Sequence, residues 1–243
     1  MNDTPPERAL TPEDLQRRTE ALFGRIIRIG HMAFGEMVHP PRPASISAPT
    51  PPVDPNTAHE APAPQATLLK NLPEHLDLEQ ARVRMPFTLR LPAWVPEGFV
   101  RVDSIAVVGG GFGSIVAEGA GQESEIRANF PFPVSAHVNW QHPDGRAIRL
   151  SITQLPDDRP EFVMGGITAV PSGAVRQVTI HGALAALLER QFVYLLPSGQ
   201  TETSDDPELR WEDGRLLYAL GMGHWPGAGD ALIRIAESMA AIC

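Results

Sequence analysis

The sequence predicts an α+β fold: a curved, mainly antiparallel sheet with a C-terminal helix packed on one face, and an N-terminal amphipathic helix on a proline-rich linker. Three observations support this prediction. Short runs that alternate apolar and polar residues recur between residues 86 and 220. A stripe of apolar residues at helical spacing closes the chain, and a proline-dense segment follows a first amphipathic stretch.

The first amphipathic stretch runs from Thr11 to Val38 and is predicted to be a helix. Thr11 suits the cap, Pro12 the first helical position and Glu13 the first turn, where the helix dipole favours an acid. Apolar residues then recur at helical spacing: Leu15, Leu22, Ile26, Ile29, Ala33 and Met37. Such a helix could pack on the main domain, pair with its own copy or bind a protein partner.

Composition divides the chain into three parts. From His39 to Ala66, nine of 28 residues are proline, and such a segment forms an extended linker because it cannot bury enough apolar surface to fold. The predicted organisation is a helical segment at residues 1–38, a disordered linker at residues 39–66 and a sensor-like α+β domain at residues 67–243.

The predicted domain begins with a short helix and continues through several strands. Leu76, Leu78 and Ala81 would form the inner side of that helix. Strands are predicted around Phe87–Leu91 and over Val100–Val108, Ser114–Glu118, Ala136–Gln141, Ala147–Gln154, Val175–Ile180, Leu209–Trp211 and Arg215–Leu220. Asp-Gly pairs at residues 144–145 and 213–214 supply the positive φ that tight hairpin turns need.

Two further segments complete the predicted domain. The C-terminal helix is expected to be capped by Asp230, with an apolar stripe of Leu232, Ile235, Ala236, Met239 and Ile242. The segment from Gly182 to Gln191 is open between helix and strand. Its Ala and Leu content favours a helix, whereas its position directly after a strand and a glycine suits another strand.

Four glycines between Gly109 and Gly113 raise the possibility of a phosphate-binding loop. A dinucleotide fingerprint needs G-x-G-x-x-G between a strand and a helix. Here the spacing differs, the following residues "SIVAEGAG" are typical of a strand, and no Lys-Ser or Lys-Thr pair completes a P-loop. The loop is therefore interpreted as a β-hairpin connection that binds no nucleotide.

Charge and composition argue against several classes of protein. The formal net charge is −9 without a compensating Lys/Arg cluster, which disfavours nucleic-acid binding. Cys243 is the only cysteine, so neither an intrachain disulfide nor a thiolate metal cluster is expected. No window approaches the ~20 apolar residues of a membrane span, and the start lacks the features of a signal peptide. The expectation is a soluble, cytoplasmic protein without a transmembrane segment.

No constellation of residues predicts catalysis, a cofactor or a metal. His137 and His142 lie close together in sequence, but a third metal ligand is missing. The acidic residues of the domain fall in polar connecting segments, where solvated loops explain them. The candidate ligand or partner surface consists of Trp94, Trp140, Trp211 and Trp225. These side chains could line a cleft for a small apolar or peptide ligand, or they could anchor the core.

A family resemblance rests on motifs at both ends of the domain. The opening "LDLEQARVRMPFTLRLPAWVPEGF" and the closing "ALIRIAESM" enclose "IRLSITQLP", "VRQVTIHG" and "LRWEDGRLLYALGM". In this order they resemble an uncharacterised bacterial domain found at the C-terminal ends of anti-sigma-factor-like proteins. The resemblance spans roughly Leu76 to Ile242. The chain departs from that family in lacking a membrane helix and a zinc-binding His/Cys motif before the linker.

The resemblance implies a non-enzymatic regulatory or ligand-sensing module, and it supplies no catalytic residues. The concave sheet face would be the ligand surface. One alternative is an interaction adaptor that acts through the N-terminal helix. Another is a hydrolase with an unrecognised site. Anti-sigma activity does not follow, because the segment that would hold a sigma factor is absent or replaced by the N-terminal helix.

Overall fold

The computed structural model describes residues 23–39, 68–119, 122–126, 133–155, 167–195 and 200–241. Most of these residues belong to antiparallel sheets, and two helices accompany them, which confirms the broad α+β class. The helices are α1 (Leu78–Arg84) and α2 (Ala228–Glu237). Neither has the length or the hydrophobicity needed to cross a bilayer.

The strands are numbered in chain order. They are β1 (Arg25–Ile29), β2 (Met32–Met37), β3 (Leu68–Leu72), β4 (Glu74–Leu76), β5 (Arg90–Pro92), β6 (Val100–Arg101), β7 (Ile105–Val108), β8 (Ser114–Gly119), β9 (Gln122–Ile126), β10 (Ser135–Gln141), β11 (Ala147–Gln154), β12 (Thr168–Pro171), β13 (Val175–Ile180), β14 (Ala183–Leu188), β15 (Gln191–Leu195), β16 (Gln200–Ser204), β17 (Glu208–Asp213), β18 (Leu216–Met222) and β19 (Met239–Ala241).

A nine-stranded sheet, the main sheet, organises the described residues. Its order is β13-β14-β17-β18-β11-β10-β7-β4, with β6 also paired to β10. Neighbouring strands in this order run antiparallel. In a strand, alternate side chains point to opposite faces. Buried Val138, Leu150 and Leu220 share one register row and therefore one face, while polar residues alternate with them on the other face.

Helix α2 covers the apolar face of the main sheet. Its Leu232, Ile235 and Ala236 are fully buried and join the core formed by β10, β11, β17 and β18. The predicted apolar stripe is confirmed at these three positions. Met239 instead begins β19, which pairs with β5, and the residue after Ala241 lies outside the described residues.

The predicted Asp230 cap is wrong. The helix begins one turn earlier, after Gly227, and Asp230 lies in its first turn. Its carboxylate lies 3.7 Å from the Arg176 guanidinium. An acid is favourable both at the cap and in the first turn of a helix, so the sequence signal does not separate the two positions.

The predicted N-terminal helix from Thr11 to Val38 is wrong over its described part. Residues 11–22 lie outside the described residues, and β1 and β2 form an antiparallel hairpin. Gly30 turns the chain with φ 60°, and the β-branched isoleucines of β1 favour a strand. Contacts distant in sequence complete the hairpin: β2 pairs in parallel with β12, and Phe34 packs against Leu188 of the main sheet.

The segment left open between helix and strand is strand β14. Its Ala185, Ala186, Leu187 and Leu188 are all fully buried, because α2 covers one face of the strand and the β1–β2 hairpin packs on the other. A strand buried on both faces reads as a continuous apolar run, and such a run has no alternation to distinguish it from a helix.

The glycine loop connects strands, as predicted, but the connection is not a simple hairpin. Strand β7 pairs with β4 and β10, whereas β8 pairs with β3 and β9. Because β3 and β4 follow each other across Pro73, residues 109–113 form an excursion between two strand segments that run in the same direction. The chain leaves the main sheet there and enters a separate three-stranded sheet.

Two boundaries near the start of the domain also differ from prediction. The short helix predicted with Leu76 on its inner side begins only at Leu78, behind an Asp77 capping box, and Leu76 ends strand β4. The strand predicted around Phe87–Leu91 is confined to β5, which is held by its pairing with β19 rather than by its own alternation.

Candidate functional site

The face of the main sheet that α2 does not cover carries a cavity of about 790 Å³, here called the polar groove. Its volume falls within the range of small-molecule sites. The groove is lined by residues of β10, β11, β17 and β18, and residues of β15 and β16 border it from outside the main sheet. This concavity exceeds two other cavities formed by described residues, of about 270 and 480 Å³, and is therefore the leading candidate for a binding site.

Small residues of β18 open the middle of the polar groove. Ala219 and Gly221 occupy successive outward positions of that strand. A Cβ atom added at Gly221 would lie 3.8 Å from Glu208 Oε2, which is an ordinary contact distance. The backbone there does not require glycine, so the missing side chain leaves space rather than relieving a clash.

Four polar side chains on β10 and β11, here called the polar quartet, line one side of the groove. They are His137, Asn139, Arg149 and Ser151. In the antiparallel register His137 lies opposite Ser151, and Asn139 lies opposite Arg149, so the four share one face of two adjacent strands. No side chain of the quartet makes a hydrogen bond or ion pair within the part of the chain that the structure describes.

The other charged side chains of the polar groove already have partners: Asp144, Arg146 and Glu208 each contact an opposite charge, and the Asp206 carboxylate accepts a backbone N–H. Glu208 accepts a hydrogen bond from Arg210 on the same strand. Asp144, in the turn between β10 and β11, accepts one from Arg146 Nε at 2.7 Å. Arg149 is therefore the one arginine lining the groove without a carboxylate partner among the described residues.

Another side of the groove is formed by a hydrogen-bonded loop after β16. Asp206 accepts a hydrogen bond from the backbone N–H of His224 at 2.8 Å, and its own N–H donates to Ser204 Oγ at 3.1 Å. The Gln191 side chain donates to the Asp206 carbonyl at 3.2 Å. These bonds hold this wall in place, whereas the donors of the quartet have no acceptor within the described residues.

His137 is the titratable member of the quartet. Burial lowers its pKa from the usual value of 6.5, because desolvation penalises the charged imidazolium. The ring is thus neutral at pH 7 and presents one N–H donor and one acceptor nitrogen. Water is partly excluded around this position, which strengthens polar contacts made there.

The tryptophans predicted as a ligand or partner surface contact different partners. Trp140 and Trp211 are buried on the face covered by α2, and Trp211 stacks on Tyr218 at 4.8 Å between ring centres. Trp94 lies under the Arg234 guanidinium at 3.9 Å. Trp225 packs against the Phe99 ring, at 5.9 Å between ring centres, and lies 4.9 Å from the Arg146 guanidinium.

None of the four tryptophans lines the polar groove. Their described contacts are those of core and edge anchors, and their role as a ligand surface stays a prediction.

A second, smaller cavity of about 270 Å³ lies beside Trp211, on the α2 side of the sheet. Arg90 and Asp213 form an ion pair at its edge, and Tyr218 lies inside with 1% of its surface exposed. The Tyr218 hydroxyl has no hydrogen-bond partner among the described residues. Burial raises the pKa of this phenol, the nearby Arg90 lowers it and Asp213 raises it, with a net upward shift.

The two histidines considered as metal ligands have different surroundings. His137 belongs to the quartet, whereas His142 contacts the Asp144 carboxylate at 2.6 Å and the Phe99 ring at 5.2 Å. Within the described ranges, no group of three or more His, Cys, Asp or Glu side chains is arranged to hold a metal ion.

Comparison of the chain with protein-family models, with curated proteins and with solved structures finds no significant match. The resemblance to the domain of anti-sigma-factor-like proteins therefore remains a prediction.

Sequence reasoning singled out His137 as a poor metal candidate and passed over the other three members of the quartet. The available signal was the alternation of polar residues along β10 and β11 on either side of an Asp-Gly turn. That alternation is also typical of any strand with one solvated face. Only the placement of β15, β16 and the loop after β16 turns this polar face into a groove.

Proposed function

We propose that this chain is a non-enzymatic binding module of a regulatory or sensing kind, and that a small polar molecule binds in the polar groove. The single observation that carries the proposal is the polar quartet: four adjacent side chains, without hydrogen-bond partners among the described residues, beside a floor of small residues. Binding sites combine a concave surface with a few convergent polar groups. The predicted resemblance to a sensor-like domain agrees with this role.

Architecture supports a binding role for the uncovered face. The opposite face is sealed by α2 and forms the core, and no member of the polar quartet belongs to that core. Polar residues that neither pack nor pair contribute little to folding. Their side-by-side placement in a concavity is then best explained by a ligand.

A substitution that fills the groove without straining the backbone tests the proposal. Gly221→Leu places a bulky side chain over the floor, and the position has neither a left-handed φ nor a close neighbour. Val83→Leu is the matched control, because Val83 is 85% exposed on α1. The full chain and both variants are screened against a library of water-soluble metabolites by thermal shift, and hits are followed by calorimetry.

The proposal predicts at least one ligand that stabilises the full chain and the Val83→Leu variant. Gly221→Leu is expected to weaken that ligand at least tenfold, about 1.4 kcal/mol or more, while keeping the native circular dichroism spectrum. Binding that survives Gly221→Leu unchanged would place the ligand elsewhere and refute the proposal.

A hydrolase is the second candidate, favoured by one specific observation. Ser151 lies opposite His137 in the register of β10 and β11, and the imidazole is neutral, as a general base must be. The two side chains make no hydrogen bond in the structure as described, so the nucleophile is not activated there. Turnover of activated esters by the full chain that Ser151→Ala abolishes would favour the hydrolase over the binding module.

A further inference from the structure

We infer that the molecule bound in the polar groove carries a carboxylate, held by the Arg149 guanidinium with help from Asn139 and Ser151. This inference rests on the proposed function and adds the chemical class of the ligand. It follows from the charges and the register of the groove.

The charged side chains that line the groove indicate an anionic ligand. Arg146 donates to Asp144, and Glu208 accepts from Arg210. The Asp206 carboxylate has no cationic partner among the described residues and accepts the backbone N–H of His224. Arg149 alone among the lining arginines has no carboxylate partner in the described residues. A single uncompensated guanidinium in a cavity attracts a single negative charge.

A row of residues on four neighbouring strands crosses the groove at Arg149. Asn139, Arg149, Gly221 and Glu208 are successive partners on β10, β11, β18 and β17. Neighbouring strands lie about 4.8 Å apart, so Arg149 and Glu208 are separated by two strand spacings with only a glycine between them. The glycine leaves room for a ligand group beside the guanidinium, which has no carboxylate partner among the described residues. The Glu208 carboxylate borders this space, 3.8 Å from where a Cβ atom of Gly221 would lie, and its charge is paired with Arg210.

The hydrogen-bond donors of the groove match the acceptor oxygens of a carboxylate. A guanidinium binds a carboxylate through two parallel N–H···O bonds. The Asn139 amide and the Ser151 hydroxyl, which share this face, supply further donors. His137 adds an N–H without adding a charge, because burial keeps its ring neutral.

The acidic residues that line the groove favour a carboxylate over a phosphate. Asp144, Asp206 and Glu208 line the same cavity as Arg149, and the chain as a whole has a formal net charge of −9. A dianionic phosphate would meet more repulsion from these carboxylates than a monoanion would. Phosphate sites usually gather several positively charged donors, whereas here Arg149 is the one lining arginine without a carboxylate partner among the described residues. The groove therefore favours a monocarboxylate.

The experiment uses acids and their neutral amides as matched probes. The ¹⁵N-labelled full chain is titrated with acetate and acetamide, benzoate and benzamide, N-acetylglycine and N-acetylglycinamide, and with inorganic phosphate. Fragments of this size bind weakly, because few contacts offset the loss of translational and rotational freedom, and amide chemical shifts detect such weak binding. The residues expected to shift are Asn139, Arg149 and Gly221, because they border the proposed carboxylate position.

The expected result is that at least one acid shifts these amides and binds at least tenfold more tightly than its amide and than phosphate. Arg149→Gln should remove this preference, and Arg149→Lys should restore part of it, since lysine keeps the charge but not the fork. Arg82→Gln, on the exposed helix α1, controls for the change in net charge and should bind like the full chain.

Three results would overturn the inference: acids and amides bind equally, Arg149→Gln leaves the acid affinity unchanged, or no acid binds in the groove. Tighter binding of phosphate would also overturn it and assign a different class. A neutral metabolite that binds and is blocked by Gly221→Leu would refute the carboxylate while leaving the proposed function intact, so the two can fail separately.

Discussion

Replacing Gly113 with alanine is expected to destabilise the protein more than the same replacement at Gly111. Both glycines lie in the excursion between β7 and β8 and have left-handed φ values, +72° and +92°. They differ in their surroundings. A Cβ atom at Gly111 would meet nothing within 4 Å, whereas one at Gly113 would lie 2.5 Å from the Leu72 carbonyl oxygen and 3.4 Å from the Glu74 nitrogen.

The magnitude follows from these two contributions. A left-handed conformation costs an L-residue about 1–2 kcal/mol, and this cost applies at both positions. At Gly113 the backbone of residues 72–74 must also move away from the new methyl group, which costs a further ~1–3 kcal/mol by analogy with overpacked sites. The expected losses are therefore about 1–2 kcal/mol for Gly111→Ala and about 2–5 kcal/mol for Gly113→Ala.

Urea unfolding, followed by circular dichroism, measures both free energies. Amide hydrogen exchange at Ser114, which pairs with Leu72, separates a local opening of the three-stranded sheet from global unfolding. Equal losses for the two variants, with equal protection at Ser114, would show that the Leu72 carbonyl does not approach this glycine and would refute the geometry of the excursion.

Four further variants test the core, one part-buried hydrogen bond and the quartet. Leu232→Ala should lose about 2–5 kcal/mol of unfolding free energy, because its side chain is fully buried between α2 and the sheet; a loss below ~1 kcal/mol in urea unfolding would contradict that packing. Tyr218→Phe should leave stability unchanged or raise it by up to ~1 kcal/mol, since its buried hydroxyl has no partner among the described residues. Thr153→Val, which removes the 2.9 Å hydroxyl contact with Ser135, should instead lose about 1 kcal/mol, and the opposite order in thermal unfolding would be inconsistent with both environments. Burial lowers the pKa of His137, so the folded state binds its proton more weakly than the unfolded chain, and stability should fall as the pH drops below about 6.5. Urea titrations between about pH 5 and 8 should show a shallower dependence for His137→Asn, and an unchanged slope would exclude this contribution.

The strands that sequence reasoning placed best are those whose local and tertiary signals agree. Strands β11 and β13 have the predicted boundaries, Ala147–Gln154 and Val175–Ile180. Strand β11 alternates apolar and polar residues along most of its length, and β13 does so over Val178–Ile180. A tight turn adjoins each strand: Asp144-Gly145 precedes β11, and His181-Gly182 follows β13, with positive φ at Gly145, His181 and Gly182. Period-two alternation beside a turn is a local property, so no distant contact was needed to find them.

The predicted N-terminal helix failed where distant contacts outweighed local spacing. Ile26 and Ile29 suit a helical stripe, but they suit a strand equally well when Gly30 reverses the chain. Strand β2 is then completed by β12, which lies more than 130 residues away, and Phe34 is buried against Leu188. Spacing within one window contains no information about such partners.

The sequence by itself determined the broad class of the fold, the positions of most strands in the main sheet and the apolar stripe of α2, because alternation, turn residues and helical spacing are properties of neighbouring residues. Only the tertiary structure decided which polar residues share a cavity. His137 and Ser151 become neighbours through the register of two strands, and Arg149 stands without a carboxylate partner in the described residues because Arg146 and Arg210 each have one. A site of this kind depends on which strands lie side by side and on which charges are already paired, and neither is a local property of the chain.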